Sequence, residues 1–373
     1  MAHVKKRTRT TAKGTKTTSW VASVPIGAGR TRTKAFDRKI DAGRWAAEEQ
    51  TRVARGSHTN SALGRQPLQE YAERWRQGQQ WKRSTAETVE VILRCRICPT
   101  FGQRPLNSIL HSDVQAWVGE LSAKYAPRTV ASSLVQLSSI FSAALRDRIV
   151  DRNPCDGISK PKIPKEKVVP LEDHEIESII GELPGYLKVM ARVSEATGLR
   201  LSECTGITVN RIDFLGKRLT VDRQLVTPSR GAPYLSSTKT EGSDRVVPLP
   251  GDIVALLAKH LAERGLSVTD GEEFAFSTVS GKPMRRGNVG DAMNRAVKRS
   301  GIAREATWHD FRHRYASLLI HERMDVVAVQ HMLGHASARE TLDTYSHLWP
   351  DAEEQVRLAV ESALNTARAG MGR

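Results

Sequence analysis

The chain predicts a mainly α-helical protein with small β-sheets, built in three parts: a sheet-plus-helix head, a helical module, and a larger mixed α/β, mostly helical domain. Three observations carry this. Apolar residues recur at helical spacing through most of the 373 residues. Period-two alternation is confined to short runs near the N-terminus and between about 218 and 249. A proline- and lysine-rich stretch of low periodicity, DRNPCDGISKPKIPKEKVVP (151–170), parts two long helical regions. The expected boundaries are 1–65, 66–158, a linker at 159–170, and 171–373.

Residues 1–17 are polar and basic and read as a flexible arm. WVASVPIG and TRTKAF alternate by residue around GAGR, which predicts a hairpin or three-stranded sheet. KIDAGRWAAEEQTRVARG then places Ala42, Trp45, Ala46 and Glu49 on neighbouring helical turns, and 56–66 reads as a linker. Four helices follow in 67–150, with Ser84 and Glu87 spaced as a capping box and Ser112 as a candidate N-cap. Beyond Leu171 come two helices, short strands at RLTVDRQLV and DRVVPLP, and helices to the end.

Hydrophobic content of 39% and charged content of 26% fit a globular protein, and no apolar run approaches the ~18 residues that span a bilayer. The N-terminus lacks the apolar stretch of a secretory signal. Four cysteines form no disulfide framework, which points to a reducing cytoplasm. Net charge is +16 and the isoelectric point near 9.9, so a polyanion is the expected partner. Residues 1–65 hold 15 Lys and Arg against 4 Asp and Glu, a net of +11. That asymmetry suggests a nucleic-acid-binding head, the alternative being a tail kept basic for solubility. Candidate DNA contacts are Lys5, Lys6, Arg7, Arg9, Arg30, Arg32 and Lys34 in the head, and Lys82, Arg83, Lys124 and Arg128 near helix starts of the module.

The chemistry-bearing residues lie in the last domain. ATGLRLSE sets Arg200 at a helix–loop junction with Glu203 three residues on, able to hold the guanidinium. STKTEGSDRVVPL offers Lys239 on a loop between strands. ATWHDFRHRYASLL puts His309 and Arg312 on one helix face. HMLGHASARETLDTYSHL carries His335 after Gly334, then Tyr345 on a polar segment. Cationic and proton-carrying groups beside a hydroxyl nucleophile suit attack on a phosphodiester, because they can neutralise charge on the non-bridging oxygens. The competing motifs are weak. Cys95 and Cys98 form a CxxC with no second pair and read as core thiols. His331 and His335 have zinc-protease spacing, but Met332 stands where a catalytic Glu would be. GAGRTR lacks the lysine of a phosphate-binding loop.

GLRLSE, the TKT loop, HDFRH, LGH and TLDTYSHL, in this order, resemble the tyrosine recombinases, and phage integrases in particular. The likeness is strong over 170–350; the helical module resembles the family's core-site-binding domain and the head its arm-site-binding domain. The resemblance implies that Tyr345 is the nucleophile of a 3′-phosphotyrosine intermediate, with Arg200, Arg312 and His335 on the phosphate and Lys239 as general acid. His309 would accept the tyrosine proton or orient the phosphate. It implies no cofactor and no metal. The expected partners are double-stranded DNA at core and arm attachment sites, three further copies in a homotetramer, a host DNA-bending protein and an excisionase, all in a bacterial cytoplasm at the nucleoid. Neighbouring readings are a Xer-like or transposon recombinase, a type IB topoisomerase-like enzyme, and a non-catalytic DNA-binding protein. A last helix at about 351–368 would pack on a neighbouring copy or on its own domain.

Overall fold

The computed structural model describes residues 2–10, 16–27, 30–54, 63–164, 167–238, 244–267 and 269–349, with short helical pieces at 357, 360–361 and 364–365. The chain divides into two compact units, 1–164 and 165–373. It is mostly helical with small antiparallel sheets, as the sequence patterns predict.

In the first unit, strands β1 (His3–Thr10), β2 (Lys16–Gly27) and β3 (Arg30–Phe36) form an antiparallel sheet in that order. The expected arm at 1–17 is therefore a strand through Thr10, paired with β2 from His3↔Ser23 to Thr10↔Lys16. Its threonines and alternating cations suit a half-solvated strand, and low hydrophobicity hid that. Helix α1 (Lys39–Ala54) covers one sheet face, where Ala22 and Val24 pack against Ala42 and Ala46, flanked by Trp20, Phe36 and Trp45. Directly paired strand residues share a face. Register sets Arg32 and Lys34 opposite Val24 and Ala22 on the helix side, and Lys5 and Arg7 opposite Val21 and Ser19 on the open side.

The helical module comprises α2 (Leu68–Gln77), α3 (Arg83–Ile92), α4 (Cys98–Phe101), α5 (His111–Ser122) and α6 (Pro127–Arg146). A π-helical turn at Leu93–Ile97 joins α3 to α4. The wider turn frees the Arg96 carbonyl to accept the Trp117 indole N–H at 3.1 Å, while Trp117 meets Phe101 edge-on. Helix caps differ from expectation. Lys82 is the N-cap of α3, so Ser84 lies inside the first turn. Leu110 is the N-cap of α5, with Asp113 accepting its backbone N–H, so Ser112 also lies inside. Residues 149–158 are not free linker: Ile149, Val150, Cys155 and Ile158 join this core. Cys95 is exposed and so is not the core thiol expected, while Cys98 is half-buried and packs against this core.

The second unit opens with α7 (Asp173–Glu182), α8 (Gly185–Thr197) and the short α9 (Leu201–Cys204). RLTVDRQLV is split between two sheets. Strands β4 (Ile212–Asp213), β5 (Arg218–Val221) and β8 (Arg245–Pro248) form one, and β6 (Arg223–Val226) with β7 (Tyr234–Ser237) the other. Helices α10 (Gly251–Glu263), α11 (Arg286–Ser300), α12 (Trp308–His321), α13 (Val326–Leu333) and α14 (Ala338–Tyr345) complete it. The main core is Ile, Leu, Val and Met from α7, α8, α10 and α11, sealed by Phe311 and by Trp308, whose indole donates to Ser194 Oγ at 2.9 Å. A smaller cluster holds Tyr315, Ile320, Val329, Leu333 and Tyr345. Among the described residues no helix is long and apolar enough to cross a membrane. Most of the expected last helix at 351–368 falls outside the described residues.

Candidate active site

Helix α8 ends at Gly198, whose φ of +63° turns the chain left-handed. A Cβ there would sit 2.3 Å from the Tyr315 ring, so position 198 has to be glycine. The turn starts α9 with Arg200 as its N-cap. Glu203 accepts from the Arg200 backbone N–H at 3.0 Å and from its Nη1 at 2.9 Å. Arg200 Nη2 donates to the Gly334 carbonyl at 3.1 Å.

Arg312 leaves the buried side of α12 and is 1% exposed. Its Nη1 donates to Gly198 O at 2.8 Å and its Nη2 to Leu333 O at 2.6 Å. Arg200 and Arg312 thus bond consecutive carbonyls at the C-terminal end of α13, where the helix dipole is negative. Burial, and then the like charge of Arg200, push the Arg312 guanidinium down to about 9, which still leaves it protonated at neutral pH.

Gly334, left-handed at φ +62°, caps α13 and turns the chain into His335. His335 is buried. Its Nδ1 pairs with Thr341 Oγ1 at 2.8 Å, and its ring stacks 6.4 Å from that of Tyr345. Burial first, then Arg312 and Arg200, push His335 down to about 3. In the tautomer whose Nδ1 accepts from the threonine hydroxyl, Nε2 carries the ring proton and can donate.

Tyr345 ends α14 and is 1% exposed. It belongs to an apolar cluster although TLDTYSHL is polar, because only its face of the short helix turns inward. Burial lifts its phenol to about 12, against the pull of Arg312 and Arg200. Its hydroxyl meets His313 Nδ1 at 2.8 Å. His309 is not the partner of that hydroxyl in this arrangement. It lies edge-on to His313, 4.6 Å between ring centres. Crowding first, and then His313 and Arg312, push His309 down, though its outer face stays exposed. A cavity of about 690 Å³ opens over this cluster, lined by Arg200, Glu203, Thr238, His309, Gly334 and Glu340 among others.

Five of the six expected residues therefore gather in one cluster: Arg200 and His309 line the cavity, and Arg312, His335 and Tyr345 lie buried beside them. Lys239 lies outside the described residues. Sequence reading missed two others. Arg245 on β8 is fully buried; it donates from Nε to Met332 O at 2.8 Å and from Nη2 to Glu203 Oε2 at 2.9 Å. The available signal was its phase, since Arg245 alternates with the inward Val247 and Leu249. His313 was legible only as a helix neighbour of His309.

The expected DNA contacts fare unevenly. Lys5, Lys6, Arg7, Lys34, Lys82, Arg83, Lys124 and Arg128 are exposed. Arg83 also pairs with Glu87 at 3.1 Å. Arg32 is turned inward as the ion-pair partner of the buried Glu49, so it is a structural residue of the head rather than a free cation. The side chains of Arg9 and Arg30 lie outside what is described.

A left-handed turn and helix α12 thus bring Arg200 and Arg312 to one helix end, beside a buried tyrosine, on a mixed α/β domain. Comparison with known proteins agrees. The family model described as "Phage integrase family" matches residues 170–351, and the one described as "Phage integrase central domain" matches 68–160. The ICEBs1 integrase of Bacillus subtilis is 24% identical over 277 residues, 71% of this chain and 74% of that protein. The Tn1549 transposon integrase in complex with a circular intermediate DNA superposes with a TM-score of 0.68 at 22% identity, over 80% of this chain and 99% of that one. The lambda integrase tetramer bound to a Holliday junction gives a TM-score of 0.60 at 18% identity, over 90% and 93%. The chain belongs to the phage integrase family of tyrosine recombinases.

Proposed function

We propose that this protein is a site-specific DNA recombinase that integrates, and excises, phage or mobile-element DNA through a 3′-phosphotyrosine. The observation that carries the reading is the pairing of Arg200 and Arg312 on the neighbouring Gly334 and Leu333 carbonyls, next to Tyr345. Two guanidinium forks so placed can take the non-bridging oxygens of one phosphate. Tyr345 attacks phosphorus in line and the 5′ oxygen leaves. Lys239 is the proposed acid for that oxygen, on its order in the chain alone. His335 donates from Nε2, and His309, at the cavity wall, orients the phosphate. The phosphotyrosine keeps the energy of the broken bond, so a 5′-hydroxyl from another strand can reseal it without ATP. Metal is not required either, since fixed cations supply the charge stabilisation.

The assembly is part of the proposal. Residues 1–65 bind arm sites and 66–158, with the linker 159–170 and the domain 171–373, bind the core site. Four copies act on two duplexes, aided by a host bending protein and an excisionase, in the bacterial cytoplasm at the nucleoid. The lambda integrase tetramer on a Holliday junction supports this by likeness of fold. The test is covalent capture. Wild type, incubated with a nicked duplex carrying the core site, should give an SDS-resistant protein–DNA adduct, and Tyr345→Phe should give none. An adduct with Tyr345→Phe, or none with wild type, rejects the reading.

A further inference from the structure

We propose that His313, outside the six-residue set, takes the proton from Tyr345 as that phenol attacks phosphorus, so that His309 is left to the phosphate. The inference rests on the recombinase reading of Tyr345 and deepens it.

The geometry is direct. His313 Nδ1 lies 2.8 Å from the Tyr345 hydroxyl, with the rings 5.6 Å apart at 68°. His309 sits one helical turn earlier on α12, at the cavity wall, with its ring edge-on to that of His313. A buried phenol cannot shed its proton to bulk water, so the acceptor has to be in contact with it. The groups facing His313 are His309, Asp310 and Arg312 on its own helix and Tyr345 on α14, with His335 stacked beyond that ring. Burial first and Arg312 next hold the imidazole below its ordinary value, against Asp310. It therefore enters the reaction neutral, with a lone pair to offer.

Bonds and protons balance. The Oη–P bond forms as the P–O5′ bond breaks, and the phenolic proton passes to His313 Nδ1. The 5′ oxygen takes its proton from a separate donor, proposed above as Lys239. On resealing, the strand hydroxyl attacks and passes its proton to the now neutral Lys239, Oη leaves, and the imidazolium returns the phenolic proton to it.

The rival role is a passive anchor for the resting tyrosine, and pH separates the two. The probe is a nicked duplex core site obtained by covalent capture with wild type from a randomised pool. Single-turnover adduct formation is followed from pH 6.5 to 9. Glutamine can accept the phenol's hydrogen bond but not its proton. His313→Gln should be slower by about 10²–10⁴-fold at pH 7 and should regain about tenfold per pH unit as hydroxide takes over, while wild type stays nearly flat. A substrate with sulfur at the 5′ bridging position, whose thiolate leaves unprotonated, should restore Lys239→Ala and leave His313→Gln slow. A defect of His313→Gln below threefold, or one constant across the pH range, overturns the proposal. Should His313→Gln lose noncovalent duplex binding, wild type and Tyr345→Phe labelled with ¹⁵N-histidine decide it. The His313 Nδ1 signal must move on loss of the phenol, and an unmoved signal overturns the contact. Wild type that captures no duplex at all removes the recombinase reading itself.

Discussion

Arg245 and Glu203 form an ion pair sealed from solvent, Nη2 to Oε2 at 2.9 Å, with side-chain exposures of 0% and 4%. Glu203's other oxygen takes Arg200 Nη1 at 2.9 Å. The aim of Arg200 therefore depends on a strand residue that never reaches the cavity. Removing one partner of a buried pair costs about 3–5 kcal/mol. Arg245→Ala should lower the unfolding free energy from urea titration by that much and slow strand cleavage, and Arg245→Lys should fall between, since lysine cannot bond both Met332 O and Glu203. Wild-type stability in Arg245→Ala would contradict this.

Acid should undo the same network. Burial alone would raise the Glu203 carboxyl, but Arg245 and Arg200 outweigh it and hold the group below its ordinary value. Its stability contribution is thus full above about pH 4.5 and is lost as pH falls through the depressed folded value. His335, pushed down to about 3, binds its proton in the unfolded chain first. It weakens the fold as pH drops from about 6.5 towards 3. Thermal melts from pH 3 to 7 should slope down across both windows. His335→Asn should flatten the upper one, and Glu203→Gln the lower.

Arg200 and Arg312 should respond differently to truncation. Each alanine variant should lose about 10²–10³ in cleavage rate. Arg312→Ala also strands the Gly198 and Leu333 carbonyls in the interior, at about 1–3 kcal/mol each. Arg200 is one-third exposed, so Arg200→Ala should keep most of its stability. Paired denaturation and adduct assays check the split.

Gly334→Ala should damage the site without removing a charged group. Its left-handed φ costs about 1–2 kcal/mol for any L side chain. Its Cβ would also lie 2.7 Å from Arg245 Nη1. We expect a lower melting temperature together with slower cleavage. Unchanged cleavage would separate the turn from the site.

In the head, Lys5→Ala and Arg7→Ala should each weaken duplex binding and reduce the log–log salt slope by about 0.9 if they neutralise phosphates. Arg32→Ala should instead destabilise the head, because it removes an ion-pair partner of the buried Glu49. Salt-titrated binding and melting of the same variants distinguish the two effects.

The sequence alone determined the helical class and the short strands, and it singled out Arg200, His309, Arg312, His335 and Tyr345 as candidates. These are local matters: apolar spacing sets the element, and a glycine forced into a left-handed turn marks where the chain delivers a side chain. Gly198 before Arg200 and Gly334 before His335 are both such marks. Only the tertiary structure decided that β1 pairs with β2, that Arg32 faces Glu49, that Arg245 aims Arg200 through Glu203, and that the Tyr345 hydroxyl meets His313. Each of those depends on which residues distant in sequence share one low-dielectric interior. A buried charge or phenol takes its partner from what the fold packs against it, and that choice has no periodicity along the chain.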